Sequence, residues 1–275
     1  MLWQRVLTAL GLLGLLLASL WHSSEWPFGL LTLLLVCIAA WEWARLSGLS
    51  RGPAIGLAIG LAGILLALWG LVGVGQTSRW FWLLSALACA ALLPWLLQRG
   101  VAGWCQLATG PRAGLGLLLL GQAWWALLHA KAIGLGMLLS ILLLVWAADI
   151  AAYFGGKRFG RRKLAPTISP GKTWEGVWSA ALAVLLLSAL WITAWPPHWG
   201  PTLYTELWQL GPWLALAGLL LLLALSVMGD LLESLVKRSA GKKDSSRILP
   251  GHGGLLDRFD ALLPVLPLSL WIVTA

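Results

Sequence analysis

Charge is scarce in this chain: Asp, Glu, Lys and Arg make up 11% of 275 residues, and only ten are acidic. Cysteine is scarcer still, with Cys37, Cys89 and Cys105 isolated in apolar surroundings and no CxxC spacing. That excludes a disulfide framework and leaves the thiols as packing residues. The polar–apolar alternation that builds a membrane β-barrel is also missing. No soluble domain, low-complexity tail or long internal repeat is visible.

What remains is hydrophobic: 60% of positions, gathered in runs near 20 residues long. Such runs cross about 30 Å of hydrocarbon as helices, because a span must satisfy its backbone hydrogen bonds internally. The expected fold is an all-α polytopic transmembrane bundle. About nine spans are expected, near residues 5–21, 27–46, 54–74, 80–98, 113–130, 132–153, 177–195, 211–236 and 258–275. The first has a basic start at Arg5 but no small-x-small cleavage site near Ser19 to Ser24, and reads as a retained anchor.

The chain divides into residues 1–140, poor in chemistry, and 141–275, which carry two charged loops, 154–176 and 237–257. The net charge of +9 is read here as topology and not as a nucleic-acid surface. With both loops cytoplasmic, roughly 17 of the 19 Lys and Arg fall on that side and only Arg79 and Lys131 outside. The N-terminus is then cytoplasmic.

In the first half, Gly56/Gly60 and Gly110/Gly114 have the small-xxx-small spacing of close helix packing. Trp21, Trp26, Trp80, Trp82, Trp195 and Trp199 lie near span ends, as interfacial anchors do. Glu42 is the exception, since a carboxylate near the centre of a span costs about 2.5 to 3.5 kcal/mol. Its place near the cytoplasmic end predicts partial hydration and a pairing with Arg45.

Chemistry concentrates in the run Ser234 to Asp260, SLVKRSAGKKDSSRILPGHGGLLDRFD. Asp149, Asp230, Glu233, Asp257 and Asp260 all map to cytoplasmic span ends, where their repulsion calls for a divalent cation or an array of lysines and arginines. Oxygen-only ligands favour a hard ion such as Mg²⁺. Asp257 and Asp260 alone would also suit a helix N-terminus, but Asp230 near a helix C-terminus would not. Lys237, Arg238, Lys242, Lys243 and Arg247 supply positive charge for phosphates. The turn LPGHGG lets the N–H groups of Gly253 and Gly254 approach an anion, and places His252 either as a phosphate contact or acid–base group or as a structural residue. SPGKTWEG fails the P-loop pattern because Pro166 stands where glycine is required. Lys172 still suits a phosphate, and Thr173 with Glu175 suits a helix start.

The run resembles the signature of the phosphatidate cytidylyltransferases, or CDP-diacylglycerol synthases: Ser234, Lys237-Arg238, Lys243-Asp244, Ser246, Leu249-Pro250, His252-Gly253-Gly254, Asp257-Arg258 and Asp260. The upstream stretch Ala148-Asp149, Ala152-Tyr153, Gly156-Lys157, Gly160, Lys163-Leu164, Ser169-Pro170, Lys172-Thr173 and Glu175-Gly176 is similar to the same family, with Ile150 in place of a small polar residue. The resemblance implies conversion of CTP and phosphatidate, a membrane lipid, to CDP-diacylglycerol and pyrophosphate at the cytoplasmic face of a bacterial inner membrane. It implies Mg²⁺ held by Asp230, Asp257 and Asp260, with room for a second cation, and a capacity to form homodimers. Lys237, Arg238, Lys243, Asp244, His252 and Arg258 would complete the catalytic group. Asp149, Lys157, Ser169, Lys172, Thr173, Glu175, Ser234, Gly253 and Gly254 would bind the nucleotide. The competing readings are a CTP-dependent polyprenol kinase and a transporter; the latter would favour acids near mid-bilayer, in both halves.

Overall fold

The structure, a computed structural model, describes residues 11, 14–22, 24–74, 76–248 and 253–274. Among the described residues, seven helices are long and apolar enough to cross a membrane: α1 (Trp26–Leu46), α2 (Arg51–Val72), α3 (Arg79–Gln106), α4 (Thr109–Ile133), α5 (Leu135–Phe159), α6 (Trp174–Ala194) and, after a short helix α7 (Leu203–Gln209), α8 (Pro212–Ser239). A twelve-residue helix, α9 (Leu262–Val273), ends the described chain. The first expected span lies partly outside the described residues; within it, residues 14–21 are helical.

The expected ninth span differs most. Its first residues form a 3₁₀ turn, Leu256–Arg258, and α9 begins only at Leu262. At 1.5 Å per residue it is about 18 Å long, short of the hydrocarbon thickness. Every residue from Leu262 to Leu270 is buried, and the helix packs against α3, α4 and α8. A helix apolar on all sides is the form that suits such a central position.

Two short strands interrupt the otherwise helical chain: β1 (Lys163–Ala165) and β2 (Ser169–Thr173) pair antiparallel, with Lys163 opposite Thr173. This hairpin fills the first charged loop and turns the chain from α5 back into α6, its closest neighbour. Thr173 caps α6, its Oγ1 accepting the Gly176 N–H at 3.2 Å.

Three first-half expectations are corrected. Gly56, Gly60, Gly110 and Gly114 face open space, with nothing within 4 Å of an added Cβ. Trp82 is a fully buried core residue, packed at 5.2 Å against the His129 ring, and no interfacial anchor. Glu42 is neither hydrated nor paired with Arg45, which donates to the Leu49 carbonyl at 2.8 Å.

Candidate active site

Chain alternation brings the C-terminal ends of α1, α3, α5 and α8 to one side of the bundle, together with the hairpin and residues 240–248 and 253–261. Within the last part of α8, Asp230 and Glu233 stand one helical turn apart. Asp260 approaches them because Gly229, with no side chain, lets the Asp260 carbonyl and Pro264 lie directly against α8. One carboxylate oxygen from each of Asp230, Glu233 and Asp260 falls within 4.8 Å of the others. Half-buried Asp260 is pushed up to about 8, by burial first and then by the charges of Asp230 and Asp149. Three acids this close, all offering oxygen, fit a hard divalent cation.

Asp257, expected to join Asp230 and Asp260, faces a different set of partners. Its Oδ1 receives Lys237 Nζ at 2.6 Å, and its Oδ2 accepts the Gly254 N–H at 2.9 Å and the Ser245 hydroxyl at 3.0 Å. Burial alone would raise its carboxyl, but the contacts with Glu233 and Lys237 outweigh it and hold the group well below the usual carboxylate range. Lys237 also lies 2.5 Å from Glu233, so one ammonium links Asp257 to the three-acid cluster.

The first charged loop closes on the same cluster. Lys172, on β2, lies 2.5 Å from Asp230. Glu175 holds the loop's shape, accepting the N–H groups of Arg161 at 3.0 Å and Arg162 at 3.1 Å. Thr173 and Glu175 thus each carry a structural task at the start of α6. Asp149 and Lys157 lie exposed on α5, with Lys157 near the Tyr153 ring, and Ser169 opens β2. In the second loop, Arg238, Lys243, Asp244 and Arg258 are exposed, Ser234 is half-buried on α8, and Arg238 donates to the Lys242 carbonyl at 3.3 Å. His252 lies outside the described residues.

Sequence reasoning missed one residue that touches this loop. Glu42, fully buried on α1, accepts the Leu256 N–H at 2.7 Å, the Leu255 N–H at 3.0 Å, the Ser245 hydroxyl at 3.1 Å and the Ser246 hydroxyl. The signal was present, an acid inside an apolar span, but its partners lie at the far end of the chain.

The sequence profile of the cytidylyltransferase family matches residues 3–275. The chain belongs to this family. A Pseudomonas aeruginosa cytidylyltransferase, named phosphatidate cytidylyltransferase, is 39% identical over 98% of this chain and 97% of its own length. Relatives of the same name from Haemophilus influenzae and Brucella suis are 31% and 36% identical, over 97% and 94% of this chain and 96% and 88% of their own. The family expected from the run at Ser234 to Asp260 is the family found. In this cytidylyltransferase the run meets Asp230 on the same helix, α8, and Lys172 and Glu42 from two other elements.

Proposed function

We propose that this cytidylyltransferase joins the cytidylyl group of CTP to phosphatidate, giving CDP-diacylglycerol and pyrophosphate. The observation that carries the reading is the Asp230–Glu233–Asp260 cluster, flanked by Lys172 and Lys237, in a chain alike over nearly its whole length to proteins named for that reaction. Helix ends are where a soluble nucleotide and a lipid headgroup can meet while acyl chains stay in the bilayer.

A phosphatidate phosphate oxygen attacks the α-phosphorus of CTP in line, forming a new P–O bond as the bond from the α-phosphorus to the bridging oxygen breaks and pyrophosphate leaves. A phosphate monoester is largely ionised at neutral pH, so the attacking oxygen needs no dedicated base. Asp230, Glu233 and Asp260 would hold Mg²⁺. When bound, the ion offsets negative charge on the reacting phosphates. Exposed Arg238, Lys243 and Arg247, with exposed Lys157, Arg158, Arg161 and Arg162 of the first loop, would attract the triphosphate. Lys172 and Lys237, already held against acids, fix the two loops relative to each other.

The site belongs on the cytoplasmic face of a bacterial inner membrane. Among the described residues, alternation leaves only the basic residues Arg79 and Lys131 on the opposite side, and a strong excess of Lys and Arg supports the cytoplasmic assignment.

Purified protein supplied with phosphatidate, Mg²⁺ and CTP labelled at the α or γ position tests the reaction. Label entering lipid from the α position supports it. Label entering from γ indicates a kinase, and label from neither overturns an enzymatic role on this lipid.

A further inference from the structure

Glu42 satisfies its buried carboxylate with four donors from one short segment: two hydroxyls, of Ser245 and Ser246, and two backbone N–H groups, of Leu255 and Leu256. Both oxygens are used, Oε1 by Ser246 and Leu255, Oε2 by Ser245 and Leu256. Every partner is a donor, so the position requires a group that only accepts, which glutamine is not. Burying a carboxylate is costly unless its oxygens are bonded, and Glu42 meets that cost only when the loop is closed onto α1.

The contacts pin both ends of the loop. Ser245 and Ser246 reach Glu42 from one side in sequence and Leu255 and Leu256 from the other, while Gly254, just before them, donates its N–H to Asp257 at 2.9 Å. Gly254 passes so close that an added Cβ would overlap the Ser245 hydroxyl and lie 2.8 Å from Glu42 Oε1. Ser245 is also the shared link to the reacting groups. Its Oγ lies 3.1 Å from Glu42 and 3.0 Å from Asp257, and with one hydroxyl proton it donates to one carboxylate at a time. Asp257 in turn holds Lys237, and Lys237 holds Glu233.

We propose that Glu42 is a positioning residue for the cytidylyl-transfer site: an acceptor post on α1 that ties Ser245 and Ser246 to Leu255 and Leu256 and thereby sets Asp257 and Lys237. The proposal rests on the cytidylyltransferase reading. It makes α1 part of the site, although α1 carries none of the reacting groups. A displacement of about 1 Å at such a site is enough to cost about 10²-fold in rate.

The test is Glu42→Gln in detergent or nanodiscs, compared with wild type that has first been shown to transfer α-label from CTP to phosphatidate. Failure of that first assay overturns the reaction; only its success brings Glu42 into question, so the two failures stay distinct. Hydrogen exchange of the segment 245–259 should rise about tenfold while the helices keep their protection. Turnover should fall by about 10²-fold, and the KM for CTP should rise while that for phosphatidate stays unchanged. Loss of active protein alone would lower turnover and leave both KM values in place, and that outcome overturns the proposal, as does unchanged exchange. If Glu42→Gln does not fold, Ser246→Ala, which removes one donor and keeps the carboxylate, should show the same changes to a smaller degree. Wild-type exchange and kinetics in Ser246→Ala would then overturn it.

Discussion

Lys172 on the β-hairpin lies 2.5 Å from Asp230 on α8, so one ion pair joins the first charged loop to the helix that carries the acid cluster. Neither side chain is fully buried, at 22% and 34% exposure, and the pair therefore contributes less to stability than to alignment. Lys172→Met is expected to lower kcat/KM about tenfold with little change in melting temperature. Steady-state kinetics beside a thermal melt checks both halves of that statement.

The acids divide by partner. Glu233 lies with Asp230 and Asp260, whereas Asp257 is occupied by Lys237, Ser245 and Gly254. Glu233→Gln and Asp260→Asn are expected to raise the Mg²⁺ concentration for half-maximal activity by about tenfold or more. Asp257→Asn should lower turnover with a smaller change in Mg²⁺ requirement, because it loosens the contacts with Ser245 and Gly254 and leaves Lys237 to Glu233 alone. A Mg²⁺ titration of all three variants distinguishes the roles, and an equal shift in Asp257→Asn would return Asp257 to the main cation set.

Asp260 takes up a proton more readily than an ordinary aspartate, at about 8, from burial first and then from neighbouring negative charge. A carboxyl raised on folding binds more protons in the folded state, so its contribution to stability is greatest below the unfolded value of 3.8 and is lost as pH rises through about 8. Cation-free protein should therefore melt at a lower temperature at about pH 9 than at about pH 6, with Mg²⁺ restoring more at the higher pH, where no proton has to be displaced. Thermal melts with and without chelator across that range supply the measurement.

Gly229 is the close-approach point of α8 and the segment before α9. An added Cβ would overlap the Asp260 carbonyl and come 2.9 Å from Pro264 Cδ, and neither backbone nor proline ring can rotate away. Gly229→Ala should separate Asp260 from Asp230, cutting activity by at least about tenfold and lowering stability by about 1 to 3 kcal/mol. Gly60→Ala, facing open space, should do neither.

The long helices were legible because bilayer thickness sets their length and backbone hydrogen bonding sets their type. Hydropathy does not separate a lipid-facing helix from one buried among other helices, which is why α9 read as a span. The pairs Gly56/Gly60 and Gly110/Gly114 failed for a related reason: spacing tells which residues share a face, not whether another helix covers it. In the site, the i, i+3 spacing of Asp230 and Glu233 put both on one face of α8, but the expected metal set had Asp257 where the structure brings Glu233 to Asp230 and Asp260. The division of labour between Glu233 and Asp257 was invisible, since Lys237 reaches both and the difference lies in the Ser245 and Gly254 donors that reach Asp257. Glu42 was out of reach from sequence spacing, its partners being 203 to 214 residues away.

The central claim is that the site formed by α8, the hairpin and the segment before α9 transfers a cytidylyl group to phosphatidate. Phosphorus NMR of a complete reaction tests it most directly. Wild-type protein with Mg²⁺ should produce CDP-diacylglycerol and pyrophosphate in equal amounts, and Asp230→Asn and Asp260→Asn should produce almost none while remaining folded. Release of CDP with a new lipid phosphate, or equal yields from wild type and both variants, would contradict it.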